Sequence, residues 1–439
     1  MDNVLDPLDQ AMFEFERATG VSVLIQCAWV YDRTIDIDGV LRFHAHFQRG
    51  RLSRRIERSP LPFGRHRWVS PNTSQDFEIV AQARPREEFD DWLNEQANTR
   101  RLDPEHGPGW HLAVLPFIEG GAGVSLLVPH CVSDGLGVSE AAADAVLGHE
   151  DTVSWPAAGS RRRWWAVRED ARRSARDTRA LGSAIAAAAR SARQSGAGAP
   201  PPSSTQPPLP STGADEPLTI PSATVLLDAE DWDARAQSLG GTSNALLVGL
   251  TARLAELRGR TTADGTVAVR IPRNERTAGD IRGNAVRPVD ITVDPAPITM
   301  DLREIRTAIK QALIRHQEAP DDEQALMSLV PWLPKRLLNK IAGNGTGVVS
   351  THLGAVNPAT TRLDGTDADH FAMKMHYAGM TEEKMHQFGG LQIVASGRAQ
   401  REVFVMVHAY QPGRTNSNDS LRHDLSSVLK EFSLSGTYL

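Results

Sequence analysis

Short apolar runs and amphipathic stretches alternate along the whole chain, and their lengths sort them into strands and helices. Val21 to Val30 is rich in β-formers and too short for a capped helix, so it reads as a buried strand. Arg86 to Asn98 places acids near its start and Phe89, Trp92 and Leu93 at helical spacing. His111 to Ile118 and Val124 to Val128 flank Glu119-Gly120-Gly121 as the arms of a hairpin, and a helix follows from Ser139 to Leu147. Further on, Thr224 to Leu227 predicts a strand. Asp228 predicts the cap of a short helix that stops at Gly240-Gly241, and Thr242 or Ser243 the cap of another, running from Asn244 to Leu257. Strands are expected at 267–271, 286–293, 347–351, 391–395 and 403–410, and helices at 302–316, 322–342 and 420–432. Interleaved strands and helices in both halves predict two α/β (α+β) lobes.

Composition sets the boundary between them. Residues 196–221 are dense in Pro, Ser and Gly and bury too little apolar area to offset their ordering entropy. They read as a crossover linker between a lobe at 1–195 and a lobe at 222–439. The 439 residues carry a net charge of −6, which argues against a dedicated nucleic-acid binder. Two cysteines exclude a disulfide framework and a cysteine-based structural zinc site. The acidic start lacks the basic, then apolar, pattern of a signal peptide, and no run approaches 18 apolar residues, so a cytoplasmic location is expected. One segment departs from the acidic average. Residues 161–194 hold ten arginines against three acids, with Trp164-Trp165 among them. That pattern fits a solvated helix, or a basic, aromatic-bearing helix lying on an anionic membrane or a carrier protein as a peripheral contact.

The candidate chemistry sits just after the strand 124–128, in Pro129-His130-Cys131-Val132-Ser133-Asp134-Gly135, an H-x-x-x-D-G pattern between a strand and a helix. A neutral imidazole at His130 can take a proton from an alcohol or amine as that group attacks an activated carbonyl. Asp134 can receive an arginine and brace the loop rather than touch substrate. Gly135 lets a substrate arm or backbone approach closely. The plainer alternative is a histidine at a strand end with Asp134 as the N-cap of the next helix.

The hexamer resembles the H-x-x-x-D-G signature of acyl-CoA-dependent acyltransferases and of the condensation domains of peptide synthetases. Flanking segments look most like the wax ester synthase/diacylglycerol acyltransferase branch. Pro7-Leu8-Asp9-Gln10-Ala11-Met12-Phe13 resembles its P-L-x-x-x-x-F/L opening, and Thr242-Ser243-Asn244-Ala245-Leu246-Leu247 its V-N-D-V-L-L helix start. Gly283-Asn284-Ala285-Val286 resembles its G-N-x-x strand, and Val348-Val349-Ser350-Thr351-His352-Leu353-Gly354 its V-S-N-V-P-G segment, all in family order. The resemblance implies two chloramphenicol-acetyltransferase-like lobes with an active-site tunnel between them. It implies His130 as general base, and Asp134 paired with an arginine of the second lobe, Arg273 first and Arg276 second. Asn284, Ser350 and Thr351 are implied as substrate-binding or supporting residues, with Ser350 or Thr351 as a candidate oxyanion donor.

The chain departs from the pattern in three places. Pro129 stands where many members have a first histidine, Asn244-Ala245 replaces the N-D pair, and Ser350-Thr351-His352 replaces S-N-V. These changes fit a dedicated enzyme of a specialised lipid or natural-product pathway better than bulk storage-lipid synthesis. The expected function is transfer of an acyl group from a thioester, acyl-CoA or carrier protein, to a small hydroxyl or amine acceptor, with no metal or redox cofactor. A stand-alone condensation enzyme joining carrier-bound substrates, and a silent binding module of the same fold, are the alternatives. Cys131 reads as a buried, inert thiol. The glycine-rich 343–347 reads as a turn, since phosphate loops run strand to helix. His44, His46, His376 and His386 lack a metal-ligand pattern, and Met373, Met375 and Met380 beside Tyr377 read as apolar lining.

Overall fold

In the computed structural model, residues 3–71, 77–149, 154–175, 182, 216–277, 279–318, 327, 329–333 and 347–439 are described. Most of the expected helix at 322–342, nearly all of the turn at 343–347 and most of the linker fall outside these residues, and within the first of them Val330–Trp332 forms a 3-10 turn. The first half runs α1 (Pro7–Thr19), β1 (Ser22–Tyr31), α2 (Ile37–Phe47), β2 (Arg55–Glu57), β3 (Arg67–Val69), β4 (Phe77–Ile79), α3 (Phe89–Thr99), β5 (His111–Pro116), β6 (Ala122–Pro129), α4 (Gly135–Leu147) and a helix over 163–175, α5. The second half runs β7 (Ser222–Asp228), α6 (Ala229–Ser238), α7 (Ser243–Leu257), β8 (Val267–Asn274), β9 (Val286–Val293), α8 (Arg303–Glu318), β10 (Val348–Ala355), β11 (His370–Ala378), α9 (Glu382–Gln387), β12 (Leu391–Ala399), β13 (Glu402–Tyr410), α10 (Asn418–Glu431) and β14 (Gly436–Tyr438).

Local chemistry accounts for most boundaries. Asp228 accepts from the Glu230 and Asp231 amides, and Thr242 from that of Ala245, so the predicted caps form. The helix after the H-x-x-x-D-G turn starts four residues earlier than its apolar pattern suggested. Asp134 caps it, and the cap and packing override the low propensity of Gly135 and Gly137.

Two sheets organise the molecule. The first has the order β11-β1-β6-β5-β4 and the second β14-β7-β13-β12-β10-β8-β9. The expected division of the chain at 195/222 therefore does not coincide with the division of the sheets. Strand β11, from the second half, pairs antiparallel with β1 along its length, from Ser22↔Ala378 to Val30↔His370. Its Lys374 is buried against Asp90 of α3, which Arg422 of α10 also reaches at 3.3 Å, and His376 bonds Gln26 of β1 at 2.8 Å. These groups sit inside the protein, so the strand shows no clean apolar alternation in sequence. Val356, Leu363 and Phe371 join the first core in the same way, while α7 and the inner strands build the second. The two main sheets, each with its own large core, give a two-lobed α/β architecture. No helix of the described residues is long and apolar enough to cross a membrane.

Candidate active site

Strand β6 delivers His130 to the seam between the lobes. The His130 amide donates to Val23 O of β1 at 2.7 Å, so the turn leaves the sheet in a fixed direction. Its carbonyl accepts from Asn284 Nδ2 of the second half at 2.9 Å. Among the described residues the ring's Nδ1 is sealed from solvent with no hydrogen-bond partner, so Nε2 is the nitrogen that retains access. Burial holds the His130 pKa below the ordinary histidine value, against the pull of its own backbone, the nearby Asp134 charge and the Asn284 side chain, which favours the neutral ring. A neutral imidazole with one accessible nitrogen can accept a proton.

Asp134 does not touch that ring. One carboxylate oxygen accepts from the Gly137 amide at 2.7 Å, and the other from Arg276 Nη2 at 2.8 Å and the Ala285 amide at 2.9 Å. The ion pair is almost wholly buried, with 4% and 7% of the two side chains exposed. The arginine on Asp134 is thus Arg276, not Arg273. Arg273 lies on β8 opposite Arg287, whereas Arg276 falls in the following loop, where its amide bonds Asn274 Oδ1 and turns the chain toward the first lobe. The Arg276 guanidinium also donates to the Arg282 and Gly283 carbonyls at 3.1 and 2.8 Å, which fixes the loop between β8 and β9.

Two further clamps hold the same loop. Asp9, fully buried on α1, accepts from the amides of Gly283 and Asn284 at 2.8 and 2.7 Å and from Asn284 Nδ2 at 3.0 Å. Burial pushes its carboxyl up to about 6, opposed by the Arg54 charge and these donors. Arg54 bridges Val132 O and Ile281 O, both at 2.7 Å, with its guanidinium 3.9 Å from the centre of the Trp68 ring. Gly283 is required at this approach, because a Cβ there would meet Val132 O at 2.7 Å. Sequence reasoning missed Asp9 and Arg54 as supports. Asp9 stood in the quoted opening segment, but an acid in a helix's first turn reads as favourable to the helix dipole and nothing more.

The remaining expected residues separate. Leu353 packs so closely on Gly135 that a Cβ at 135 would lie 3.2 Å from its Cδ2, so a side chain takes the space expected for a substrate arm. This brings the end of β10 to the start of α4. Ser350 is fully buried and its hydroxyl accepts from Thr251 Oγ1 of α7 at 3.3 Å, away from the seam. Strand alternation turns Thr351 to the face of β10 opposite Ser350. His352 bonds Ser396 at 2.9 Å, on the Ser350 side. Cys131 is 2% exposed, and burial together with Glu16 pushes its thiol well up, which disfavours the thiolate. Tyr377 and Met380 line a cavity beside Cys131, while Met373 lies against Gly135. Among the described residues, no group of three His, Cys, Asp or Glu side chains is placed to hold a metal ion.

No family model matches the sequence, and no curated protein matches it. Solved structures do match in fold. The first condensation domain of the CDA synthetase aligns over 100% of this chain and 99% of its own, with a TM-score of 0.59 at 12% identity. Polyketide synthase associated protein 5 from Mycobacterium tuberculosis aligns over 99% of both chains, with a TM-score of 0.54 at 14% identity. The EpoB cyclization-docking bidomain from Sorangium cellulosum gives 0.59 at 14% identity, over 98% of this chain and 84% of that one. The chain has the condensation-domain fold.

Proposed function

We propose that the protein is an acyltransferase that moves an acyl group from a thioester, acyl-CoA or an acyl carrier protein, to a hydroxyl or amine. The observation that carries this reading is a His130 with one accessible ring nitrogen, beside an Asp134 wholly engaged in bracing the loop. As the acceptor's oxygen or nitrogen attacks the thioester carbon, His130 Nε2 takes its proton. The tetrahedral intermediate then expels the thiolate, which recovers that proton from the imidazolium, giving an ester or amide and a free thiol. Thr351, on the face of β10 opposite the buried Ser350, is the better candidate of the two hydroxyls for the oxyanion. The kinship to the wax ester synthase/diacylglycerol acyltransferase branch rests on the order of the sequence motifs.

A donor assay tests the reading. Matched acyl-CoA and acyl-carrier thioesters are supplied with a panel of alcohols and amines, and new ester or amide is followed by mass spectrometry. Product from free acyl-CoA supports the acyltransferase as stated, and product only from carrier-bound donor supports a stand-alone condensation enzyme. Tight carrier binding without turnover in any combination would leave a binding module.

Helix α5 is the surface we assign to an acidic carrier protein. Trp164 and Trp165 are 54% and 48% exposed and stack at 4.2 Å, rather than packing into the first lobe. Arg162, Arg163, Arg168 and Arg172 are exposed around them. Carrier binding is expected to weaken steeply as salt rises, since exposed charges are screened beyond about 10 Å at 0.1 M. It should weaken further in a Trp164→Ala, Trp165→Ala variant at every salt concentration. Binding to anionic vesicles instead of carrier, read by co-sedimentation, would reassign the helix to a membrane surface.

A further inference from the structure

A cavity of about 230 Å³ opens beside the turn that carries His130. Its walls come from both halves of the chain: Met12 and Phe15 of α1, Met380, Met385 of α9, and Phe388. Three of those five are methionines, whose unbranched, polarizable side chains adapt to a chain-like guest. Two contacts tie it to the candidate site. Cys131, the residue after His130, lines it, and so does Val23, whose carbonyl receives the His130 amide. Among the described residues, the only ionisable carboxyl in the lining is Glu16. One of its oxygens accepts from Ser22 Oγ, and among the described residues the other has only the Cys131 thiol, at 3.6 Å. A thiol is a weak donor, so that oxygen can take a better donor from a guest.

We infer that this cavity binds a medium-length aliphatic chain whose head is a hydrogen-bond donor, an amine or alcohol, with the head on Glu16 and the chain among the methionines. The space suits roughly eight heavy atoms, at about 30 Å³ for each water-sized group. A carboxylate head is excluded, because it would bring a second anion against Glu16 in an apolar pocket. The inference rests on the acyltransfer reading in one respect, the guest's role as acyl acceptor.

Calorimetric titration of the full chain with alkylamines and alcohols of four to ten carbons, without any acyl donor, tests it. Affinity should rise about fourfold per added methylene and level off near eight carbons, with octanoate not binding. Glu16→Gln should weaken octylamine about tenfold. Met12→Trp, at a half-buried wall position, should weaken octylamine and octanol alike by tenfold or more. Octanoate binding as well as octylamine, or octylamine unaffected by Met12→Trp in a folded variant, overturns the cavity assignment. Binding as predicted, with no acylation of octylamine under conditions where other acceptors are acylated, supports the cavity and overturns the acceptor role. If no acceptor is acylated at all, the failure belongs to the acyltransfer reading, and the titration still decides the cavity.

Discussion

Replacing His130 by alanine should lower kcat by roughly 10²–10⁴, the usual contribution of a positioned general base. The fold should be little changed, since Nδ1 of the ring has no hydrogen-bond partner among the described residues, and the turn is held through the His130 backbone by Val23 and Asn284. The pH profile adds a second signature. The base must be neutral to act, so kcat/KM should fall as pH drops through the His130 pKa, about tenfold per unit below it. Burial moves that pKa down. The acid limb should therefore lie below about 6.5, the ordinary histidine value, with a plateau through neutral pH. Loss of that limb in His130→Ala, measured on residual activity, completes the test. An alanine variant with near-normal turnover on true substrates would defeat the mechanism.

Arg276→Ala should destabilise the protein by about 3–5 kcal/mol, because it leaves Asp134 buried with its charge uncompensated. The loop that Arg276 gathers through the Arg282 and Gly283 carbonyls would lose its centre as well. Arg273→Ala should stay within about 0.5 kcal/mol, as a substitution that breaks no buried network. Chemical denaturation of the two variants beside the parent measures the contrast. Asp134→Asn should resemble Arg276→Ala, with activity lost together with stability, since it keeps the shape and removes the charge the guanidinium needs. Equal stability of both arginine variants would place the pairing elsewhere, and a stable but inactive Asp134→Asn would move that carboxylate into the chemistry.

The sequence by itself determined many of the elements and the position of the candidate base. Strand β1, the hairpin of β5 and β6, and the helices capped by Asp228 and Thr242 follow from apolar spacing and cap chemistry, which act within a few residues. His130 was legible because a strand, a tight turn and a helix start are adjacent in the chain. What only the tertiary structure decided are the partnerships across distance. Asp134 and Arg276 are 142 residues apart, and Asp9 and Asn284 are 275 apart, so no local rule chooses between Arg273 and Arg276 or gives Asp9 its three donors. Two of those donors are backbone amides, which every sequence possesses alike. Strand β11 could not be assigned to the first sheet, because Lys374 and His376 become core residues only once Asp90 and Gln26 are there to satisfy them. Ser350 and Thr351 are equivalent in the chain. The pleat of β10 turns Ser350 toward α7 and Thr351 to the opposite face, and that direction is set by what the strand packs against.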